Sequence, residues 1–295
     1  MENKIIERAY AKINLHLDVT GIREDGYHDV CTVMQSVSLC DVITVSDIKK
    51  VTSDPVFSIS CSLSGVPCDE RNLAVKAARL FCKKVGISLS AHIDIEKNIP
   101  MAAGMAGGST DGAAVLRGLN NACGFPLTVK ELCALGSELG ADVPFCIVGG
   151  TRFADGRGDI LHGFPKMPDC YIVIACEGEG VSTPWAYRLL DDTYNGFSNG
   201  AYTPRNTAEL ENALASGSVR DTAECIYNIF EAPVLAHRPV AAKVKDILVS
   251  SGAEGAMMSG SGPSVFGIFE NGEKAKLAAE SLISQGFRAH FCRPV

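Results

Sequence analysis

The residues from 97 to 111 read Lys97-Asn98-Ile99-Pro100-Met101-Ala102-Ala103-Gly104-Met105-Ala106-Gly107-Gly108-Ser109-Thr110-Asp111, and no other stretch restricts the fold as much. Side chains this small leave the backbone open to a ligand. The helical spacing that follows over 113–121 makes the segment a loop feeding a helix. Amides at a helix start have no partner inside the helix, and the dipole makes that end positive, so the junction suits an anion. A flexible loop before an ordinary helix has the same composition, and the stretch alone leaves both readings open.

A chain of 295 residues suffices for two ordinary domains, each with its own core. Hydrophobic residues at 46% and charged residues at 21% give the balance of a soluble globular protein. The formal charge of −7 argues against nucleic acid or an anionic membrane as the main partner, because both reward a basic surface. The 12 cysteines are scattered with no C-x-x-C pair and no clustered His, which is not zinc spacing. Charges at Glu2, Lys4, Glu7 and Arg8 stand where a signal peptide needs an apolar core, and no apolar run approaches a membrane span. The expectation is a cytoplasmic protein whose reduced thiols act as small core hydrophobes.

From Ala11 to Val19 apolar and polar residues alternate, which predicts a strand with Lys12, Asn14, His16 and Asp18 on one face, toward solvent or a cleft. Asp25-Gly26 is a turn signal, and Tyr27-His28 after it could meet a planar ligand or be a chance pair on a surface loop. Val30 to Val45 reads as one or two strands, Val56 to Ser62 as another, Asn72 to Val85 as a helix stopped by Gly86, and Ala91 to Glu96 as the strand entering the loop. Thr128 and Glu131 form a capping box for a helix running to Leu139. Asp142 follows Gly140, where a helix dipole disfavours an acid, although Asp beside Gly and Pro is also an ordinary turn residue. Phe145 to Val148 and Thr151 to Ala154 look like strands, and His162 to Asp169 like a loop. From Tyr171 the order is strand, helices (one entered through 181–187, then 206–215, 219–229, 240–251), two strands around the glycine turn Ser259 to Ser264, helix (273–285) and strand (288–291). That order predicts a ferredoxin-like second domain.

There is no G-x-x-x-x-G-K-[ST], no complete G-x-G-x-x-G and no protein-kinase motif set. A phosphate loop, a strand lysine and a loop aspartate nonetheless suggest phosphoryl transfer, which needs positioning, charge neutralisation and a group to orient the attacking hydroxyl. Ala11-Lys12-Ile13-Asn14-Leu15, Pro100 to Thr110, Gly140-Ala141-Asp142-Val143-Pro144 and Ser259-Gly260-Ser261-Gly262-Pro263-Ser264 together resemble, in that order, the motif set of the GHMP kinase superfamily. Gly26-Tyr27-His28, with Lys12 and Asp142, points to the branch acting on a cytidine diphosphate derivative of methylerythritol.

The resemblance implies an α+β protein of two domains, residues 1–160 binding ATP and residues 161–295 ferredoxin-like, acting on a small molecule as a monomer or homodimer. It implies that Asp142 is the general base and that Lys12 holds it in register with the substrate hydroxyl. It implies that Pro100, Met101, Ala102, Ala103, Gly104, Met105, Ala106, Gly107, Gly108, Ser109 and Thr110 wrap the ATP phosphates, with Mg2+ neutralising them and Lys97 nearby. Tyr27 and His28 would stack on and read the cytosine, Asn14 would border that pocket, and Tyr187 after Thr183 would supply a second aromatic. The late glycine turn would close the site. Ala102, Ala103 and Ala106 stand where the family often has glycine, and a Cβ there opposes a positive φ. Another member, of homoserine or mevalonate type, and a catalytically silent binding protein on the same scaffold are the competing readings.

Overall fold

The computed structural model describes residues 4–176, 180–194, 197 and 202–295. The chain divides into two units, one assembled from Met1–Ala11, Cys40–Ile99 and Ala106–Gly149, the other from Lys12–Leu39, Pro100–Met105 and Gly150–Val295. Two long strands, β1 (Lys4–Ile22) and β2 (His28–Lys50), contribute residues to both.

In the first unit, β3 (Phe57–Cys61), α1 (Leu73–Val85) and β4 (Leu89–Glu96) form a crossover, with β4 parallel to β3 and antiparallel to the later part of β2. Helix α1 starts where the Asn72 side chain accepts the Ala74 N–H and stops at Gly86, whose φ of 72° costs a glycine nothing. Helix α2 (Gly107–Ala122) packs along α1. Helix α3 (Val129–Ser137) opens on the reciprocal Thr128–Glu131 cap read from the sequence, and those bonds hold the Glu131 carboxyl below its ordinary range. Phe145 to Val148 are a correction: they form helix α4 (Val143–Val148), not a strand. Pro144 sits in its first turn, where a fixed φ suits a helix and the missing N–H is not needed, while a short apolar run carries no period to reveal this.

In the second unit, β5 (Thr151–Asp155) pairs with β2 and with β6 (Ile160–Gly163), a strand the sequence pattern does not announce. Beyond β7 (Tyr171–Cys176) come α5 (Thr183–Thr193), α6 (Ala208–Ser216) and α7 (Val219–Glu224). The single helix expected over 219–229 ends at Glu224, and the chain turns into β8 (Tyr227–Asn228), which pairs parallel with β1 at His16 and Leu17. Helix α8 (Glu231–His237) was masked in the sequence by Pro233, and α9 (Pro239–Ser250), β9 (Gly255–Met258), β10 (Val265–Phe269), α10 (Gly272–Ser284) and β11 (Arg288–Cys292) follow close to expectation. The sheet order β11-β7-β10-β9, with every pair antiparallel, is that of two interleaved βαβ units, the ferredoxin-like arrangement. Val173, Val265 and Phe269 of this sheet pack under Val244 and Leu248 of α9 and Ala278 and Leu282 of α10. A second cluster joins Leu17, Val19 and Val30 to Ala186, Leu190, Phe230 and Val234.

No disulfide joins the described cysteines, and burial pushes the thiols of Cys31 and Cys170 up to about 11 and about 12. Among the described residues no helix is long and apolar enough to cross a membrane.

Asn228 ties the end of β8 to the glycine turn. Its Nδ2 donates to the carbonyls of Met258 (2.7 Å) and Gly260 (2.8 Å), and its Oδ1 accepts the Phe230 N–H (3.0 Å), all away from water. Asn228→Ala strips three buried groups of their partner and should cost about 3 kcal/mol of stability, read from the urea midpoint.

Candidate functional site

The four polar residues of β1 do share a face, but water does not reach it. Lys12, Asn14, His16 and Asp18 are 5%, 2%, 2% and 0% exposed, which removes the reading of a solvated sheet face. Buried polar groups must find partners, and these do except at His16 Nε2, which has none. Lys12 Nζ donates to Asn14 Oδ1 (2.6 Å), Asn14 Nδ2 to Thr32 Oγ1 (2.9 Å), and Thr32 Oγ1 to the His16 carbonyl (2.7 Å). Asp18 accepts the Tyr202 hydroxyl and the N–H groups of Val19 and Arg205, yet burial still raises its pKa. Burial, with the Arg205 charge second, lowers the His16 imidazole to about 4.

The loop from Pro100 to Met105 keeps its alanines by accepting strain. Ala102 and Ala106 adopt φ of 50° and 58°, in the left-handed region where a Cβ costs roughly 1 kcal/mol, while Ala103 stays outside it and is buried. Three bonds brace the loop: Val181 N–H to the Ala102 carbonyl (3.2 Å), Ser259 Oγ to the Gly104 carbonyl (3.0 Å) and Lys12 N–H to the Met105 carbonyl (3.3 Å). The approach of the late glycine turn is so close that a Cβ on Gly104 would lie 2.1 Å from the Ser259 carbonyl oxygen. Met101, by contrast, is exposed.

Helix α2 begins at Gly107, earlier than its apolar spacing suggests, so Gly107, Gly108, Ser109 and Thr110 are its first turn and not loop. Its N-cap, Ala106, has no side chain able to cap, which leaves the first-turn amides without the usual oxygen partner. A helix start of this kind suits an anion. Thr110 spends its hydroxyl on the Tyr10 carbonyl (2.8 Å), whereas Ser109 is half-buried beside it.

Lys97 lies within a cluster the sequence did not announce. Its ammonium is 2.6 Å from both Asp41 Oδ2 and Asp111 Oδ2, and Asp41 Oδ1 also accepts the N–H groups of Asn98 and Ile99. Burial opposes the Lys97 charge, but the two carboxylates outweigh it and raise its pKa. Burial pushes Asp111 up to about 8, and its Oδ1 has no partner. Asp142 is the N-cap residue of α4 and so stands at the positive end of a short helix, the reverse of the dipole argument made from Gly140. Arg117, also missed, holds that helix: it donates to the carbonyls of Cys146 (2.7 Å) and Arg8 (2.9 Å) and to Glu7 Oε2 (3.2 Å).

The aromatic pair has built surroundings. Tyr27 is 60% exposed, while His28 is enclosed, its ring tilted at 33° against Tyr187 with centroids 4.6 Å apart and its Nε2 2.7 Å from Asp191 Oδ1. Thr183, at the start of α5, shares a hydrogen bond with Ser261 of the glycine turn (3.2 Å). Asp191 was readable in principle, because it lies one helical turn beyond Tyr187 on the same face.

A model of the GHMP kinases N terminal domain matches residues 72–150, and one of the GHMP kinases C terminal matches residues 209–289. A 4-diphosphocytidyl-2-C-methyl-D-erythritol kinase from Gloeobacter violaceus is 41% identical over 97% of this chain and 93% of its own length. The chain belongs to the GHMP kinase family. A relative of the same name from Caldicellulosiruptor saccharolyticus is 43% identical over 94% of this GHMP kinase and 92% of its own length. A crystal structure of 4-(cytidine 5'-diphospho)-2C-methyl-D-erythritol kinase superposes with a TM-score of 0.80 at 32% identity, covering 98% of this chain and 99% of that one. Homoserine kinase from Cytophaga hutchinsonii, at 18% identity and a TM-score of 0.75, shares the fold. The protein is thus a small-molecule kinase with the two-domain, mixed α/β architecture of its family.

The Asp111 carboxyl makes stability depend on pH in a definite direction. The folded chain keeps a proton up to about pH 8 that the unfolded chain, at the ordinary 3.8, has given up, so stability falls as pH rises between those values. Asp111→Asn removes that proton difference. Its urea midpoint should gain steadily on the wild type from pH 5 to pH 8, and a constant offset would contradict the buried acid.

Proposed function

We propose that this kinase transfers the terminal phosphoryl group of ATP to a hydroxyl of 4-diphosphocytidyl-2-C-methyl-D-erythritol, giving the 2-phosphate used in non-mevalonate isoprenoid synthesis. The observation that carries the reading furthest is the His28 imidazole packed against Tyr187, with the exposed Tyr27 next to it in sequence, in a chain whose relatives bear that kinase's name. Within the proposal, residues before about 160 serve the nucleotide and those after it form the ferredoxin-like domain.

The nucleotide phosphates lie along Pro100 to Thr110, taking the first-turn amides of α2 as donors in place of a cap. Lys97, held by Asp41 and Asp111, supports this region from within. A magnesium ion would accompany the phosphates. Ser109 is the hydroxyl best placed in sequence to touch it. When bound, the ion would neutralise charge on the transferred group.

Asp142 takes the proton from the attacking hydroxyl, and Lys12 holds carboxylate and hydroxyl in register. Asn14, bonded to Lys12 Nζ, fixes the amine's direction and borders the substrate pocket. Thr183 and Tyr187 of α5 face the base with Tyr27 and His28.

Asp142→Asn and Lys12→Met should each lower kcat by about 100-fold or more while the urea midpoint shows a folded protein. Near-normal turnover in Asp142→Asn would remove the general base. A panel of acceptors tests the substrate independently: preference for homoserine or mevalonate over the cytidylyl compound would replace this reading with another member of the family.

A further inference from the structure

His28 is held more tightly than stacking alone requires. Its ring lies on Tyr187 at 4.6 Å and 33°, meets the edge of Phe197 at 5.9 Å and 76°, and Tyr187 is itself braced edge-on by Phe230 at 4.9 Å and 83°. These contacts fix the plane of the imidazole. One freedom remains, which of the two ring nitrogens carries the hydrogen, and the 2.7 Å contact between Nε2 and Asp191 Oδ1 removes it. A carboxylate has no hydrogen to give, so Nε2 must donate, and in the neutral ring Nδ1 is then an acceptor only. The same carboxylate-imidazole pairing fixes tautomers wherever a histidine must present one chosen nitrogen.

We propose that Asp191 is a positioning residue that sets the hydrogen-bonding sense of His28, making the pocket select a pyrimidine with an exocyclic amine, cytosine, over one with a carbonyl at that place, uracil. The inference rests on the substrate reading above. An Nδ1 lone pair accepts a hydrogen from the amine at position 4 of cytosine. Uracil presents an oxygen there, and two acceptors facing each other leave both without a partner in a partly dehydrated site. Pockets built to match a polar group reject the analogue lacking it far more strongly than apolar pockets reject a methyl group. Without Asp191 the ring can move its hydrogen to Nδ1 and accommodate either base. Asp191 lies on α5, is 35% exposed at its side chain, and acts through His28 without touching the transferred phosphoryl group.

The experiment compares kcat/KM for two acceptors that differ only in cytosine against uracil, using the full-length kinase and ATP. The wild type should prefer the cytidylyl compound by roughly 100-fold. Asp191→Ala should cut that ratio by about 10-fold or more through KM, with kcat on saturating cytidylyl substrate within about 3-fold of wild type. Asp192→Ala, on the neighbouring exposed acid of the same helix, should leave the ratio unchanged. An unchanged ratio in Asp191→Ala, or an equal fall in Asp192→Ala, would overturn the role of Asp191 while leaving the kinase reading intact. Inactivity of the wild type on both pyrimidine compounds would overturn the substrate reading and this inference with it.

Discussion

One face of β1 withdraws an ammonium, an amide, an imidazole and a carboxylate from water, and much of the second unit is arranged to satisfy them. A lysine buried to 5% exposure cannot be left to find partners by chance. Asn14 and Thr32 extend its hydrogen bonding across to β2. At the far end of the same face, Asp18 draws in Tyr202 and the Arg205 backbone, and Arg205 in turn lies over the Tyr227 ring at 4.2 Å. The two ends of this face thus have different tasks. Lys12 meets the loop carbonyl of Met105 through its own backbone, while Asp18 secures the segment that precedes α6.

The first unit solves a similar problem with an ion cluster. Asp41, Lys97 and Asp111 come from β2, the end of β4 and the second turn of α2, and Asp41 also takes two backbone N–H groups. Removing Asp41 would leave the Lys97 charge buried beside a largely protonated Asp111, at a cost of about 3–5 kcal/mol. Lys97 is occupied in this way, and under the proposed function the phosphate contacts along the loop are left to backbone amides. That agrees with the segment, which is rich in alanine and glycine and whose helix start carries no side-chain cap.

Local rules made much of this legible. The period-two run in β1, the Asn72 and Thr128 caps, the Gly86 stop and the order of elements after Tyr171 all follow from interactions within a few residues. What escaped depends on distance along the chain. Lys97 meets Asp41 across 56 residues and His28 meets Asp191 across 163, and nothing in either neighbourhood points to the other. Phe145 to Val148 escaped for another reason: the five buried residues from Val143 to Ile147 have no polar side to set a period, so helix and strand look alike. Tyr227 and Asn228 leave a helical pattern because β1 offers them a strand edge, a choice made by tertiary structure.

The left-handed alanines of the phosphate loop carry a last implication. A glycine at either position would relax the torsion but widen the range of shapes open to the empty loop, by about 0.4–1 kcal/mol of chain entropy per residue. Alanine narrows that range in advance. The left-handed torsion at Ala102 is held by its surroundings, the Val181 N–H on its own carbonyl among them, and under the proposed function the segment would already hold one geometry when a nucleotide arrives.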